Sequence, residues 1–307
     1  MTTTTTIIDT QWIGRPHAVA SALLRSGDHR ALIDPGPAST LETLRTGLRS
    51  EGLSIADLDA ILLTHIHLDH AGATGALVRE NPRLAVYVHT RGAPHLVDPG
   101  KLLDSARRLW GDELPRLFGN TVPAPAENLR ILAGGETLTL GGHELAVEYT
   151  PGHAAHHLSY FDEGDGTAFI GDTGGIRIQN GPYILPAAPP PDINLELWEE
   201  SFATILRRRP AKLFLTHFGY AENPAAHLAE FGERLRRWTD AAEQALKNSS
   251  DEESAGRAFV AGARAELVAA LSEAEAEHYA FTAGLDLSFL GLARYIRKRA
   301  TAATSPA

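Results

Sequence analysis

Three histidines and an aspartate fall within six residues, His65-Ile66-His67-Leu68-Asp69-His70. Neutral imidazole and carboxylate are borderline ligands, suited to zinc and also to iron or manganese. Packed together without a cation, they would carry a large desolvation or repulsion cost. The alternative is a polar loop whose histidines are each satisfied by neighbours. It has to account for four ligand-type side chains in one short stretch of a chain with 14 histidines in all. The pattern is read as a metal site.

Three more ligand-type residues each stand just past a short apolar run. His153 in Thr150-Pro151-Gly152-His153 follows 144–149, Asp172 in Gly171-Asp172 follows 168–170, and His217 in Thr216-His217 follows 212–215. Any one of them alone reads as an ordinary core or surface residue. Their repeated placement brings them to the 65–70 cluster if the strand ends gather along one edge. Asp34 in Leu32-Ile33-Asp34-Pro35-Gly36 also follows an apolar run. It either accepts a hydrogen bond from a metal-bound imidazole or makes an ordinary Asp-Pro turn.

The elements that must position these residues alternate. Residues 18–24 and 30–33 read as strands joined by the turn Ser26-Gly27-Asp28, 39–51 as a helix, 59–63 as a buried strand, 71–79 as a helix and 84–88 as a strand. This is the rhythm of a layered α/β domain. From 129 to 149 the glycine pairs Gly134-Gly135 and Gly141-Gly142 punctuate alternating stretches and predict hairpins. Strands are expected at 158–161 and 168–170, and the last one at 212–215. Two segments look added, a helical stretch at 99–118 and a proline-rich loop at 177–192; each serves as a lid or as surface packing. After Pro224 three helices are expected, at 225–245, 252–273 and 287–299, with Ser250 or Asp251 capping the second. The division read from this is a domain over 1–222 and a helical appendage over 223–307, the appendage either capping the site or forming a homodimer face.

The composition bounds the function. The chain has 307 residues, is 43% apolar and 21% charged, and carries a formal net charge of −10. An acidic exterior repels a phosphate backbone, which argues against a nucleic-acid partner and for a small-molecule substrate. With no cysteine, disulfides, thiolate metal sites and a cysteine nucleophile are excluded. The start, Met1 followed by five threonines, has neither the basic nor the apolar part of a signal peptide, and no apolar run approaches the roughly 20 residues that span a bilayer. A cytoplasmic, membrane-free protein is expected.

The Asp34-Pro35-Gly36 turn, the 65–70 loop, His153, Asp172 and His217 occur in the order seen in the metallo-β-lactamase-fold hydrolases, and the resemblance covers roughly residues 7–220. It implies a four-layer αββα sandwich, here with a C-terminal helical extension, and a site at one edge of the two sheets. Carried over position by position, His65, His67 and His153 would bind one metal, Asp69, His70 and His217 a second, and Asp172 would bridge them. Two divalent ions, zinc first with iron or manganese as alternatives, would share a water and turn it into a hydroxide at neutral pH. The expected reaction is hydrolysis of an ester, thioester or lactone, with Asp69 and Asp172 as the catalytic carboxylates.

Within the superfamily, Thr150-Pro151-Gly152-His153-Ala154-Ala155-His156-His157 resembles the glyoxalase II neighbourhood. His157 falls at that family's second histidine position, which implies support behind the ligands. The family's glutathione-binding arginine–lysine pattern is only loosely approximated by Arg294, Arg297 and Lys298, and the 99–118 helical segment is also unlike it. The chain looks closer to glyoxalase II-like hydrolases with a helical tail. Quorum-signal lactonases share the ligand set; on that comparison Trp110, Phe118, Tyr183 and Tyr220 would line an apolar pocket, the alternative being that they pack in the core. Phosphodiester hydrolysis, and oxidation at a single iron as in the persulfide dioxygenases, are the other activities the resemblance leaves open.

Overall fold

The computed structural model describes residues 4–178 and 181–304. Twelve strands form two six-stranded sheets. The first sheet has the order β1 (Thr4–Asp9), β2 (Ala20–Ser26), β3 (His29–Ile33), β4 (Ala60–Leu62), β5 (Ala85–His89), β6 (Leu129–Leu132). It is antiparallel through β3 and parallel from there on. The second sheet runs, from one edge to the other, β12 (Gly219–Ala221), β11 (Lys212–Leu215), β10 (Thr167–Phe169), β9 (Leu158–Asp162), β8 (His143–Tyr149), β7 (Thr137–Leu140). Only its β10–β11 pair is parallel.

Side chains alternate across each strand, so one strand feeds two cores. Ala60 and Leu62 face the second sheet, where they meet Phe169 and Phe214. Ile61 and Leu63 face outward onto Leu44, Leu48 and Leu77 of α1 (Leu41–Ser50) and α3 (Thr74–Glu80). In the second sheet Phe214 points inward, while Leu213 and Leu215 point out to a third cluster. That cluster is continuous from the sheet into α7 (Leu195–Arg207), α8 (Pro224–Asn248), α9 (Glu252–Ala270), α10 (Glu273–Ala283) and α11 (Leu285–Thr304). The result is the expected αββα sandwich.

Several elements differ from the sequence reading. Residues 129–149 hold one of the expected hairpins, β7 and β8 pairing antiparallel across Gly141-Gly142, but β6 closes the first sheet and β7 opens the second, so Gly134-Gly135 carries the chain between sheets. Gly134 has φ +95°, and a Cβ there would meet the Tyr149 backbone at 2.5 Å. The three-residue strand β12 lies beyond the expected last one, and β1 is built from the threonine run. The C-terminal region has four helices. The turn between α10 and α11 is made by Gly284 in the left-handed region, φ +59°, and α10 starts with a reciprocal Ser272–Glu275 cap. Asp251 caps α9, accepting from the Ser254 N–H at 2.7 Å. No helix among the described residues is long and apolar enough to cross a membrane.

Candidate metal centre

The site lies along one edge, where loops leave β3, β4, β8, β10 and β11. After β4 the chain passes Thr64, His65 and His67 and enters the single-turn helix α2 (Leu68–Ala71), which carries Asp69 and His70. His153 sits in the loop between β8 and β9. Asp172 lies in the tight turn Gly171–Gly174 after β10. Gly171 has φ +43°, and a Cβ there would come within 2.6 Å of Thr64 Oγ1 and 2.9 Å of His157 Nε2, so the turn needs glycine to approach this closely. His217 stands between β11 and β12.

All seven expected ligand residues converge. His65 Nε2 and His153 Nε2 lie 3.0 and 2.9 Å from His67 Nδ1. Asp69 Oδ2 is 3.4 Å from His217 Nε2 and 3.9 Å from His70 Nε2. Between the two groups Asp172 presents Oδ2 to His153 Nε2 at 3.3 Å, and Oδ1 to His70 Nε2 at 3.2 Å and His217 Nε2 at 3.5 Å.

The far nitrogen of four rings is held in a way that fixes the tautomer. His153 Nδ1–H donates to the Ala187 carbonyl at 2.9 Å, and His217 Nδ1–H to the Ala18 carbonyl at 2.6 Å. His70 Nδ1–H donates to Asp34 Oδ2 at 2.8 Å. The Thr64 hydroxyl spends its one hydrogen on Asp34 Oδ2 at 2.7 Å, so its oxygen accepts from His65 Nδ1–H at 3.1 Å. Each of these rings therefore turns a bare Nε2 lone pair into the site. His67 is turned the other way and offers Nδ1.

Asp34 is the hub of this support. It is fully buried, with φ +49°, and also accepts from the Thr64 N–H and the Thr216 hydroxyl. It orients His70 directly and His65 through Thr64. His157 is buried behind His65, its ring stacked 5.1 Å away and its Nδ1 set between the Thr150 and Thr173 hydroxyls.

These contacts fit bound cations. His65 and His153 both carry their proton on Nδ1, and His67 Nδ1 can donate to only one of them, so two lone pairs face each other unless a positive ion lies between. Asp172 Oδ1 and His70 Nε2 are buried without a hydrogen-bond partner, 3.2 Å apart but misaligned; such orphaned atoms are costly unless something else engages them. Burial, reinforced by the neighbouring imidazoles, holds His65 well below its usual range, and burial with His153 beside it lowers His67 to about 3. Burial would also lower His70, but Asp172, Asp69 and Asp34 outweigh it and raise it. Asp172 is opposed by burial yet held well below the carboxylate range by His70, His217 and His153. The first group is thus neutral nitrogen, the second rich in carboxylate.

The residue pattern of the metallo-beta-lactamase superfamily matches residues 14–217. The chain belongs to that superfamily. A metallo-beta-lactamase fold-containing protein of Sulfurisphaera tokodaii is 31% identical over 175 residues, 54% of this chain and 65% of that one. Its crystal structure overlays with a TM-score of 0.63 at 21% identity, over 95% of this chain and 98% of that one. A metallo-beta-lactamase family protein of Thermus thermophilus overlays with a TM-score of 0.70 at 20% identity, over 92% of this chain and 89% of that one. The hydroxyacylglutathione hydrolase of Aeromonas hydrophila is 31% identical over 153 residues, 49% of this chain and 44% of that enzyme. The chain thus matches about half to two thirds of the length of these curated relatives.

A cavity of about 350 Å³ opens directly above His67, Asp69, Asp172 and His217. Three distant segments wall it: α5 (Gly100–Trp110) with Phe118, the 187–192 stretch, and the α10–α11 junction. Trp110 and Phe118 line it as expected, but Tyr183 and Tyr220 do not. Tyr183 is buried beneath the C-terminal helices, with the Arg234 guanidinium 3.6 Å over its ring. Tyr220 packs edge-on to Phe214 at the sheet margin. Both are strand- or loop-borne aromatics drawn into packing. Residues 177–192 include two, 179 and 180, that lie outside the described residues; the rest mostly pack inward, and only their end reaches the cavity. Trp12, Phe281 and Leu287 are wall residues that sequence reasoning missed, since no spacing ties them to the site; His156, three residues after His153, also lines the cavity.

Proposed function

We propose that the protein is a metal-dependent hydrolase that cleaves an ester, thioester or lactone bond using two divalent cations. The observation that carries this reading is Asp172, whose two oxygens face different groups, His153 on one side and His70 with His217 on the other. A carboxylate placed this way is suited to bridge two ions, held by His65, His67 and His153 and by Asp69, His70 and His217. Zinc suits these donors, with iron or manganese as alternatives. Such ions, when bound, activate water at neutral pH and polarise a substrate oxygen.

The chain's own residues supply the rest. Asp69 keeps its side chain 21% exposed and lines the cavity. Burial would raise its pKa, but His70 and His217 outweigh that and bring it to about 2, so it is ionised at neutral pH and placed to accept a proton from the attacking water. The water oxygen bonds to the carbonyl carbon. The C–O or C–S bond then breaks with its electron pair on the heteroatom, which leaves with a proton. The apolar walls keep bulk water away from the reacting bond, and they favour an acyl substrate over a phosphodiester.

Metal analysis of the purified protein, followed by assays on thioester, lactone and phosphodiester substrates, tests the reading. Two zinc or mixed divalent ions per chain and chelator-sensitive acyl hydrolysis are expected. One iron per chain with sulfur-dependent oxygen uptake would make the protein an oxidoreductase and sink the proposal. Phosphodiester cleavage outpacing acyl hydrolysis would keep the metals but change the substrate.

A further inference from the structure

The cavity wall formed by α5 carries two parallel stripes at helical spacing, both facing the opening above the metal centre. Leu102, Ala106 and Leu109 make one, and Lys101, Ser105 and Arg108 the other. Ala106 is buried and the two leucines half-buried, whereas Lys101 and Arg108 are exposed. The apolar stripe is therefore the inner lining and the cations stand at the mouth. Phe281 and Leu287 close the opposite wall.

Two cations, Lys101 and Arg108, line this mouth in a chain whose formal net charge is −10. Asp104 is paired with Arg107, and Glu113 with Arg116. Lys101 and Arg108 form no ion pair or hydrogen bond among the described residues. Apart from Asp69 and Asp172, the one acid lining the cavity is Asp192, and its Oδ2 accepts from the Ala155 N–H at 3.4 Å. Two uncommitted cations at the mouth of a low-dielectric cleft concentrate an attractive field for anions. The volume of about 350 Å³ is at the lower end of the range for small-molecule sites, about 300–1,000 Å³.

We propose that the substrate is an amphiphilic acyl compound. Its apolar acyl body packs against Leu109, Trp110 and Phe281, and its leaving group carries a negative charge that Lys101 and Arg108 meet. This rests on the hydrolase reading above and narrows it to one class, small anionic esters or thioesters of apolar acids. The bond broken is the acyl C–O or C–S bond, and the anion departs on the leaving group with the proton.

The test uses the metal-loaded protein and two matched probes, the phenylacetyl thioesters of 3-mercaptopropanesulfonate and of 3-mercaptopropanol, followed by thiol release. At low salt the sulfonate should be preferred in kcat/KM by about fivefold, mainly through KM, as expected for two exposed charge contacts. The preference should shrink as salt is added. It should fall to about one in the double variant Lys101→Gln, Arg108→Gln, with metal content unchanged. Equal kcat/KM at low salt overturns the proposal, as does a preference that survives the double substitution. If neither thioester is cleaved, the hydrolase reading has failed separately. Quenching of Trp12 and Trp110 fluorescence by the intact probes then reads the charge preference alone, and equal affinities would overturn it.

Discussion

The floor of the cavity and its walls are built on different terms. The floor is made of loops leaving five strands of two sheets that are bonded together at this edge. The Leu158 N–H donates to Thr64 O, the Ala20 N–H to Thr216 O, and Asp34 binds residues following β4 and β11. Four of its imidazoles are each pinned by a specific acceptor. The walls come from 101–118, 187–192 and 281–287, and are held by apolar contact, such as Trp110 edge-on to Phe118 at 4.9 Å and Trp12 against Phe281 at 5.4 Å. The floor cannot shift without disturbing both sheets, and the 187–192 wall is tied to it through the Ala187 carbonyl that holds His153, whereas the α5 wall makes no hydrogen bond to a floor imidazole among the described residues. On the proposed function, chemistry falls to the floor and substrate choice to the walls, with α5 the wall most separable from the floor.

The sharpest way to break the floor is Asp172→Ala. It removes the carboxylate whose two oxygens face the two ligand groups, and should lower metal content and reduce kcat/KM for a thioester by about a thousandfold or more. Unchanged turnover would refute the site. Asp34→Ala comes next. It touches no expected metal position, yet it frees the His70 ring and the Thr64 hydroxyl that holds His65. Loss of such support typically costs about 10–100-fold in metal affinity, read by competition with a chromogenic chelator. An affinity equal to that of the parent protein would show that the hub is structural only.

The same contrast explains what the sequence made legible. The 65–70 cluster, His153, Asp172 and His217 could be read because ligand chemistry demands particular residue types and strand ends gather by topology. The sandwich could be read from its alternating elements. The walls were hidden because apolar packing accepts many residues: Tyr183 and Trp110 look alike in sequence, and only folding sends one under the helices and the other to the cavity. The Gly141-Gly142 hairpin was legible, but the Gly134-Gly135 turn was misread because a glycine pair marks a turn without saying which sheet receives the next strand. The helix α10 was missed, and 274–286 left between two expected helices, because its buried residues Ala276, Tyr279, Ala280, Thr282 and Ala283 are mostly small or polar and make no clear apolar stripe.

His227 ties the floor to the C-terminal helices. It sits in the first turn of α8, and its Nε2–H donates to the Gly174 carbonyl at 2.8 Å, at the end of the turn that carries Asp172. Burial lowers its pKa to about 4. Above the ordinary histidine value of about 6.5 both folded and unfolded states are neutral there, so the group adds no pH dependence. As pH falls from there toward 4, the unfolded chain takes up a proton that the folded one refuses, and stability drops. Between pH 7 and pH 5 this one group should remove about 2 kcal/mol. His227→Gln keeps a donor for Gly174 and does not titrate, so its Tm should fall less over that interval. Parallel Tm profiles for the two proteins would show that the joint is not acid-sensitive.

The smallest effect, and the cleanest test of separability, is Trp110→Ala. The ring is half-buried in the wall, clear of every imidazole of the floor. Losing its contact with an aromatic acyl group should cost about 1.4 kcal/mol, a tenfold rise in KM for a phenylacetyl thioester. An acetyl thioester, too short to reach the ring, should show no change, and metal content and kcat should match the parent. A loss confined to the larger acyl group would place Trp110 in substrate selection. A fall in bound metal, or an equal loss on both substrates, would mean that the wall props the floor, and that the two parts are not independent.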